Sequence, residues 1–219
     1  MILGTVLNRR RTLKAGTEEV MRIGIDIDGV LTNLEQFVMD NIPKYCDKNN
    51  IEYKICDINY DHSKTFNITK QQEMDFWNKY LESYAKNEKA RPFASDIINK
   101  LKEEGHEIYI ITARWLTNRD DEVGVKMRNI VKKWLYENRV SYDKLVFSKA
   151  SKEKKFQEIS DFKIELMIED SPSNINEISN IIPVICYNAE YNKECVGNKI
   201  IRCYSWYDIY IKIKDLIYV

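Results

Sequence analysis

Histidine is scarce in this chain of 219 residues, and a net charge and long apolar runs are missing altogether. The two histidines, His62 and His106, lie far apart, which argues against a histidine-based metal centre and leaves both as expected surface or loop residues. No stretch is long and apolar enough to span a bilayer, so no membrane partner is expected. Lys plus Arg and Asp plus Glu number 34 each, and without a global basic field a nucleic-acid polymer is not an expected partner. The five cysteines, Cys46, Cys56, Cys186, Cys195 and Cys203, are odd in number and show no CxxC spacing. Zinc and a disulfide framework are thereby disfavoured, and a reducing, cytoplasmic setting is the expectation. Internal repeats and low-complexity tracts are lacking too. What is present, 44% apolar residues, suffices for one good core and a small accessory unit.

Residues 1–20 stand apart from the rest. Met1 to Leu7 is weakly apolar, but Arg9-Arg10-Arg11 follows it, reversing the charge order of a secretory signal. A solvated, poorly ordered extension is expected there.

The most informative residues are Ile23-Gly24-Ile25-Asp26-Ile27-Asp28-Gly29-Val30-Leu31-Thr32, an apolar run of strand character ending in two carboxylates, a glycine and a hydroxyl. A strand places residues i and i+2 on one side, so Asp26 and Asp28 are expected to leave its tip in the same direction. Carboxylates that close repel, and the pair is stable if one protonates or a cation sits between them. Either outcome suits acid/base or metal chemistry. Gly29 permits an immediate turn of any φ, opening a cavity where open α/β sheets bind ligands. An ordinary strand exit also favours Asp and Gly, so this segment alone does not decide the matter. Two further segments have the matching form: Glu107 to Arg114, an apolar strand ending in Thr112, and Ile164 to Ser171, ending in Glu169 and Asp170.

The set DxDGVLT, IITAR and MIEDS, in that order, resembles the haloacid dehalogenase superfamily of Mg-dependent phosphohydrolases. More narrowly it is similar to the 5'(3')-deoxyribonucleotidases and their bacterial nucleotidase relatives, over a span from about Arg22 to the C-terminus. Arg91-Pro92-Phe93 and Phe76-Trp77 add to the closer match. The implied fold is α/β, a three-layer Rossmann-like core with a parallel sheet and a small helical cap inserted after the first strand. Near-continuous apolar runs fit parallel strands at 22–28, 107–113, 144–147, 164–170 and 183–187, with helices between them. Ile97, Ile98 and Leu101 mark a helix that Gly105 stops; Val125 to Tyr136 and Trp206 to Ile217 carry two more, and Ser173 is read as the cap of the helix after Asp170. The core is then 21–33 and 92–219, with 34–91 as the inserted cap, since the stretch between the first two strands far exceeds one crossover helix. Thr69-x-x-Gln72 has the form of a capping box opening a helix to about Lys86. Met74, Trp77, Leu81 and Tyr84 share one stripe of it, expected to be core; Phe76 and Tyr80 form a neighbouring stripe, free to face the cleft and stack on a base, with Trp77 as an alternative.

A dianionic phosphate approaching two carboxylates is repelled unless a hard divalent cation neutralises part of the charge, and Mg2+ is the expected ion. The resemblance implies that Asp26 is the nucleophile and that Asp28 protonates the leaving alkoxide, then activates water. It implies metal ligation by Asp26, the Asp28 backbone carbonyl and Asp170, with Glu169 in the first or second shell, and phosphate contacts from Thr112 and the Ala113 N–H. Arg114 either reads substrate or pairs with an acid. A bridging lysine is also implied, with Lys155 favoured over Lys152. Glu169 departs from the family's usual aspartate. The expected substrate is a small phosphorylated metabolite, a nucleoside monophosphate first and a sugar phosphate as the rival. A metal-free dehalogenase and a non-catalytic binding module fit the acidic residues less well, and monomer or homodimer stays open.

Overall fold

The computed structural model describes residues 20–148 and 158–217. Its centre is a parallel sheet of six strands: β1 Arg22–Ile25, β2 Glu107–Thr112, β3 Lys144–Phe147, β4 Leu166–Glu169, β5 Val184–Tyr187 and β6 Ile200–Cys203. They lie in the order β3-β2-β1-β4-β5-β6. The helices are α1 Leu34–Lys48, α2 His62–Thr65, α3 Lys70–Asn87, α4 Ala94–Glu103, α5 Glu122–Glu137, α6 Pro172–Ile178 and α7 Trp206–Ile217. Residues of β4 and β5 are buried throughout, because both faces of the sheet are covered, and that is why these strands read as continuous apolar runs without alternation. Ile23 and Ile25 of β1 pack with Ile97, Ile98 and Leu101 of α4, Trp134 of α5 and Ile209 of α7; Met167, Val184 and Cys186 pack on the other face with Ile175 and Ile178 of α6. This is the expected three-layer α/β architecture.

Local signals place the helix ends. Thr69 and Gln72 form the reciprocal capping box of α3. Gly105, at φ +94°, follows α4, and the His106 N–H returns to the Leu101 carbonyl at 3.0 Å, as a helix ending in a left-handed residue requires. Four details differ from expectation. β6 was not expected: it is a four-residue edge strand with three half-buried residues, too short for a periodic pattern. β1 ends at Ile25, so Asp26 and Asp28 lie in the exit loop and not on the strand. α6 is capped at Ser171 with Pro172 in its first turn, instead of at Ser173, since proline's fixed φ suits that position. His106 is buried, its Nδ1 accepting the Met21 N–H at 3.1 Å where the chain enters the sheet.

The segment between β1 and α4 builds a small cluster of its own. Val38, Ile42, Tyr45 and Cys46 of α1 pack against Phe66 and against Phe76 and Tyr84 of α3. It leaves and rejoins the core through an isolated bridge between Thr32 and Ala90.

Candidate active site

The strand order changes direction between β1 and β4, the topological switch point where the C-terminal ends of two neighbouring strands open a crevice. Three carboxylates meet there. Asp26, Glu169 and Asp170 are all buried, and one oxygen from each lies within 4.8 Å of the others. The register brings them together: Ile25 pairs with Ile168, and the Asp26 N–H continues the ladder to the Ile168 carbonyl at 3.1 Å. Burial, followed by the charges of Glu169 and Asp26, pushes the Asp170 carboxyl well above the ordinary carboxylate range. Such a set of buried hard oxygens fits a divalent cation of the Mg2+ type, which would remove the mutual repulsion.

Each acid is held differently. Glu169 turns its carboxylate onto the start of α6: Oε1 accepts from the N–H groups of Asp170 and Ser171, both at 3.0 Å, and Oε2 accepts from Asn174 at 3.0 Å. It therefore serves the helix terminus, where a negative charge is favoured. Asp170 accepts a hydrogen bond from the Tyr191 hydroxyl on Oδ2. Gly29 sits against it at φ +81°; a Cβ there would come within 1.8 Å of Asp170 Oδ2.

Asp28 departs from the expected direction. Among the described residues its carboxylate joins no acidic cluster and instead faces Arg114, whose Nε donates to both carboxylate oxygens at 3.1 Å while Nη2 adds a further bond to Oδ1. The two diverge because side-chain alternation lapses once the strand ends: the Ile27 carbonyl accepts from the N–H groups of Leu31 and Thr32, winding the loop into a turn. Burial opposes the charge of Arg114, but the Asp28 carboxylate more than reverses this and keeps the guanidinium protonated. Arg114 also lies over the Tyr84 ring, 5.2 Å from its centroid. Thr112, fully buried at the tip of β2, accepts the Arg114 N–H at 3.3 Å.

Arg91 holds the loop from beneath. Its Nε donates to the Gly29 and Thr32 carbonyls at 3.2 and 3.1 Å, its Nη2 to Gly29 at 3.0 Å and to Asn33 Oδ1 at 3.3 Å, and it covers the Tyr187 ring at 4.2 Å. The motif Arg91-Pro92-Phe93 is visible in the sequence, but this role is not.

A cleft of about 430 Å³ opens between α3 and the core, lined by residues that include Asp28, Tyr60, Trp77, Tyr84, Ala113 and Arg114. The two stripes of α3 fall only partly where expected. Phe76 has no exposed surface and stacks on Tyr80, centroids 4.9 Å apart, with Tyr45 of α1 against its edge. Neither Phe76 nor Tyr80 reaches the cleft. Of the stripe expected as core, Leu81 and Tyr84 are buried as expected, yet they border the cleft together with exposed Met74 and with half-buried Trp77, the alternative stacking residue, which leans on Phe37 at 6.2 Å. Lys155 and Lys152 lie outside the described residues.

Comparison with known proteins follows the same lines. A haloacid dehalogenase-like hydrolase from Streptococcus pneumoniae superposes with a TM-score of 0.61 at 12% identity, covering 89% of this chain and 98% of its own. That likeness establishes the fold type. YqfW from Bacillus subtilis is 28% identical over 191 residues, 85% of this chain and 90% of that protein. A nucleotidase from Clostridium acetobutylicum is 27% identical over 193 residues, 88% and 93% respectively. The sequence profile of the family described as 5' nucleotidase, deoxy (pyrimidine), cytosolic type C protein matches residues 19–217, and the chain belongs to this family. It is accordingly a phosphoric monoester hydrolase acting on a small phosphorylated substrate. Among the described residues, no helix is long and apolar enough to cross a membrane.

Proposed function

We propose that the chain is a Mg2+-dependent nucleotidase that hydrolyses a 5'- or 3'-(deoxy)nucleoside monophosphate through an aspartyl-phosphate intermediate, in a cytoplasmic setting. The observation that carries this reading is the cluster of three buried carboxylates at the switch point, together with an aromatic cleft that Asp28 and Arg114 line. Asp26, the Asp28 backbone carbonyl and Asp170 would hold the cation, with Glu169 kept behind them by its bonds to the start of α6. When bound, Mg2+ supplies neutralisation of the phosphate charge.

Asp26 attacks phosphorus with a carboxylate oxygen, the P–O bond to the nucleoside breaks, and its electrons leave with the alkoxide. Asp28, a carboxylate while it faces Arg114, takes up a proton from solvent as it turns away, delivers it to that alkoxide and later takes one from the water that hydrolyses the acyl phosphate. Its bidentate contact with Arg114 gives it a defined starting orientation, and the proton-transfer steps require it to turn from that partner. The Thr112 hydroxyl and Ala113 N–H receive phosphate oxygens, and the segment 34–91 acts as a cap whose Trp77 and Tyr84 face the substrate. Lys155, or Lys152 in its place, completes the phosphate contacts.

Phosphate release from a panel of nucleoside monophosphates and sugar phosphates tests this reading. Turnover should require Mg2+ and disappear in excess chelator. Asp26→Asn should lose about four decades of rate, equivalent to about 5.5 kcal/mol. Appreciable hydrolysis by a folded Asp26→Asn protein excludes the covalent route, and a preference for sugar phosphates excludes the nucleotidase assignment.

A further inference from the structure

Asp170 is gripped by a segment that carries none of the motifs. After β5 a single 3-10 turn, Glu190–Asn192, sets the Tyr191 hydroxyl to donate to Asp170 Oδ2, while Asn192 Nδ2 donates to the Asp170 backbone carbonyl at 2.8 Å. The turn is locked in place. Asn192 has no exposed surface, and its Oδ1 accepts from the Ala189 N–H at 3.1 Å and from Arg202 Nη1 at 2.8 Å. Arg202 Nη2 donates to the carbonyls of Asn192 at 2.8 Å and Cys195 at 3.0 Å. Two adjacent residues thus fix the main chain and the carboxylate of one acid. On its other side the Tyr191 ring meets Tyr60, which comes from the inserted segment and lines the cleft; their centroids are 5.4 Å apart at 69°.

A carboxylate rotates about its last bond, so an acid in a cluster of like charges turns away from its neighbours unless a donor fixes it. With Oδ2 tied to a phenol on a rigid turn, the orientation of the group relative to Asp26 is set before any cation arrives. We infer that Tyr191 is a positioning residue: its hydroxyl holds the Asp170 carboxylate in a cation-ready orientation, and Tyr60 braces its ring from the inserted segment. This rests on the metal-dependent reading proposed above, and the controls below separate the two.

The test is a Mn2+ titration of the full chain followed by electron paramagnetic resonance, which reads unbound Mn2+ without turnover. It is run on wild type, Tyr191→Phe, Tyr60→Leu, their combination and Asp170→Ala, with a melting curve of each in chelator. Phenylalanine keeps the ring and its packing while deleting the donor. Loss of an outer partner of a metal ligand typically weakens metal binding 10–100-fold, so Tyr191→Phe should bind Mn2+ at least about tenfold more weakly with its metal-free melting temperature little changed. The Mg2+ concentration for half-maximal phosphate release should rise by a similar factor. Tyr60→Leu should weaken Mn2+ binding less, and its effect should vanish in the Tyr191→Phe background. Wild-type Mn2+ affinity in Tyr191→Phe, with Asp170→Ala impaired, overturns the inference alone. Additive losses in the double variant overturn the bracing by Tyr60. Unimpaired Mn2+ binding by Asp170→Ala overturns the metal assignment and the inference with it.

Discussion

Replacing Gly29 by alanine tests how the exit loop of β1 makes room for the acidic cluster. Two costs are separable. The backbone stands at φ +81°, a left-handed conformation that costs an L residue roughly 1–2 kcal/mol. The new Cβ would also lie 1.8 Å from Asp170 Oδ2 and 2.3 Å from its Cγ. Non-bonded heavy atoms need roughly 3.5 Å, so the carboxylate must retreat by roughly 1.5 Å. Asp170 is buried and held by Tyr191, and relief of such overpacking typically costs a further 1–3 kcal/mol, about 2–5 kcal/mol in all. Urea unfolding in chelator measures the sum, and the same substitution in an Asp170→Ala background measures its parts. There the steric cost should disappear and the backbone cost remain, a coupling of about 1–3 kcal/mol. Mn2+ binding should fall with Gly29→Ala alone, because the displaced carboxylate is a proposed ligand. An equal cost of Gly29→Ala in both backgrounds refutes the argument that this glycine exists to admit Asp170.

Two further outcomes follow from the same geometry. Trp77→Ala should lower kcat/KM for nucleoside monophosphates several-fold while sparing a small aryl phosphate, whereas Phe76→Ala should cost about 3–5 kcal/mol of stability and reduce both substrates in proportion; the reverse pattern would restore Phe76 to the cleft. Burial and the adjacent Glu169 and Asp26 raise Asp170 from its ordinary 3.8, so between that value and the raised one the metal-free folded chain keeps a proton that the unfolded chain has released. The stability of wild type relative to Asp170→Asn should therefore be highest below this window and fall by about 1.4 kcal/mol per pH unit as pH rises through it, read by urea unfolding in chelator; a pH-independent difference would contradict the raised value.

The legible parts of this fold are those in which a residue's local neighbours determine its state. Buried β4 and β5 announce themselves as apolar runs, the capping box of α3 is written in Thr69 and Gln72, and Gly105 terminates α4 through its own backbone freedom. The acidic cluster was legible because Asp26, Glu169 and Asp170 stand at the ends of such strands. That Arg114 pairs with an acid was one of its two sequence readings, but that the acid is Asp28 was not legible, because it depends on where β1 stops. One residue of difference between a strand and a turn re-aims every side chain that follows. Tyr191 lay further out of reach, since its segment has no periodicity and its partner stands just past the end of β4, far away in the sequence.

The segment between β1 and α4 shows a second kind of limit. Helical periodicity groups residues into stripes, and both stripes of α3 were grouped correctly as faces. It does not say which face meets which neighbour. Two apolar faces on one helix mean two things to cover, and α1 supplies the first cover: Tyr45 and Phe37 receive Phe76, leaving it with no exposed surface. The other stripe then falls toward the core, where Leu81 packs on Met127 and Ile130 of α5 while Met74, Trp77 and Tyr84 are left along the cleft. Tyr84 makes the point at atomic detail. Its ring lies in the apolar cluster of the segment, its hydroxyl shares a 2.7 Å hydrogen bond with Thr32 of the exit loop, and Arg114 lies over its face. A residue with those three attachments joins the segment to the loop that carries Asp28, so the stripe that looked most like simple packing is the one through which the segment touches the site.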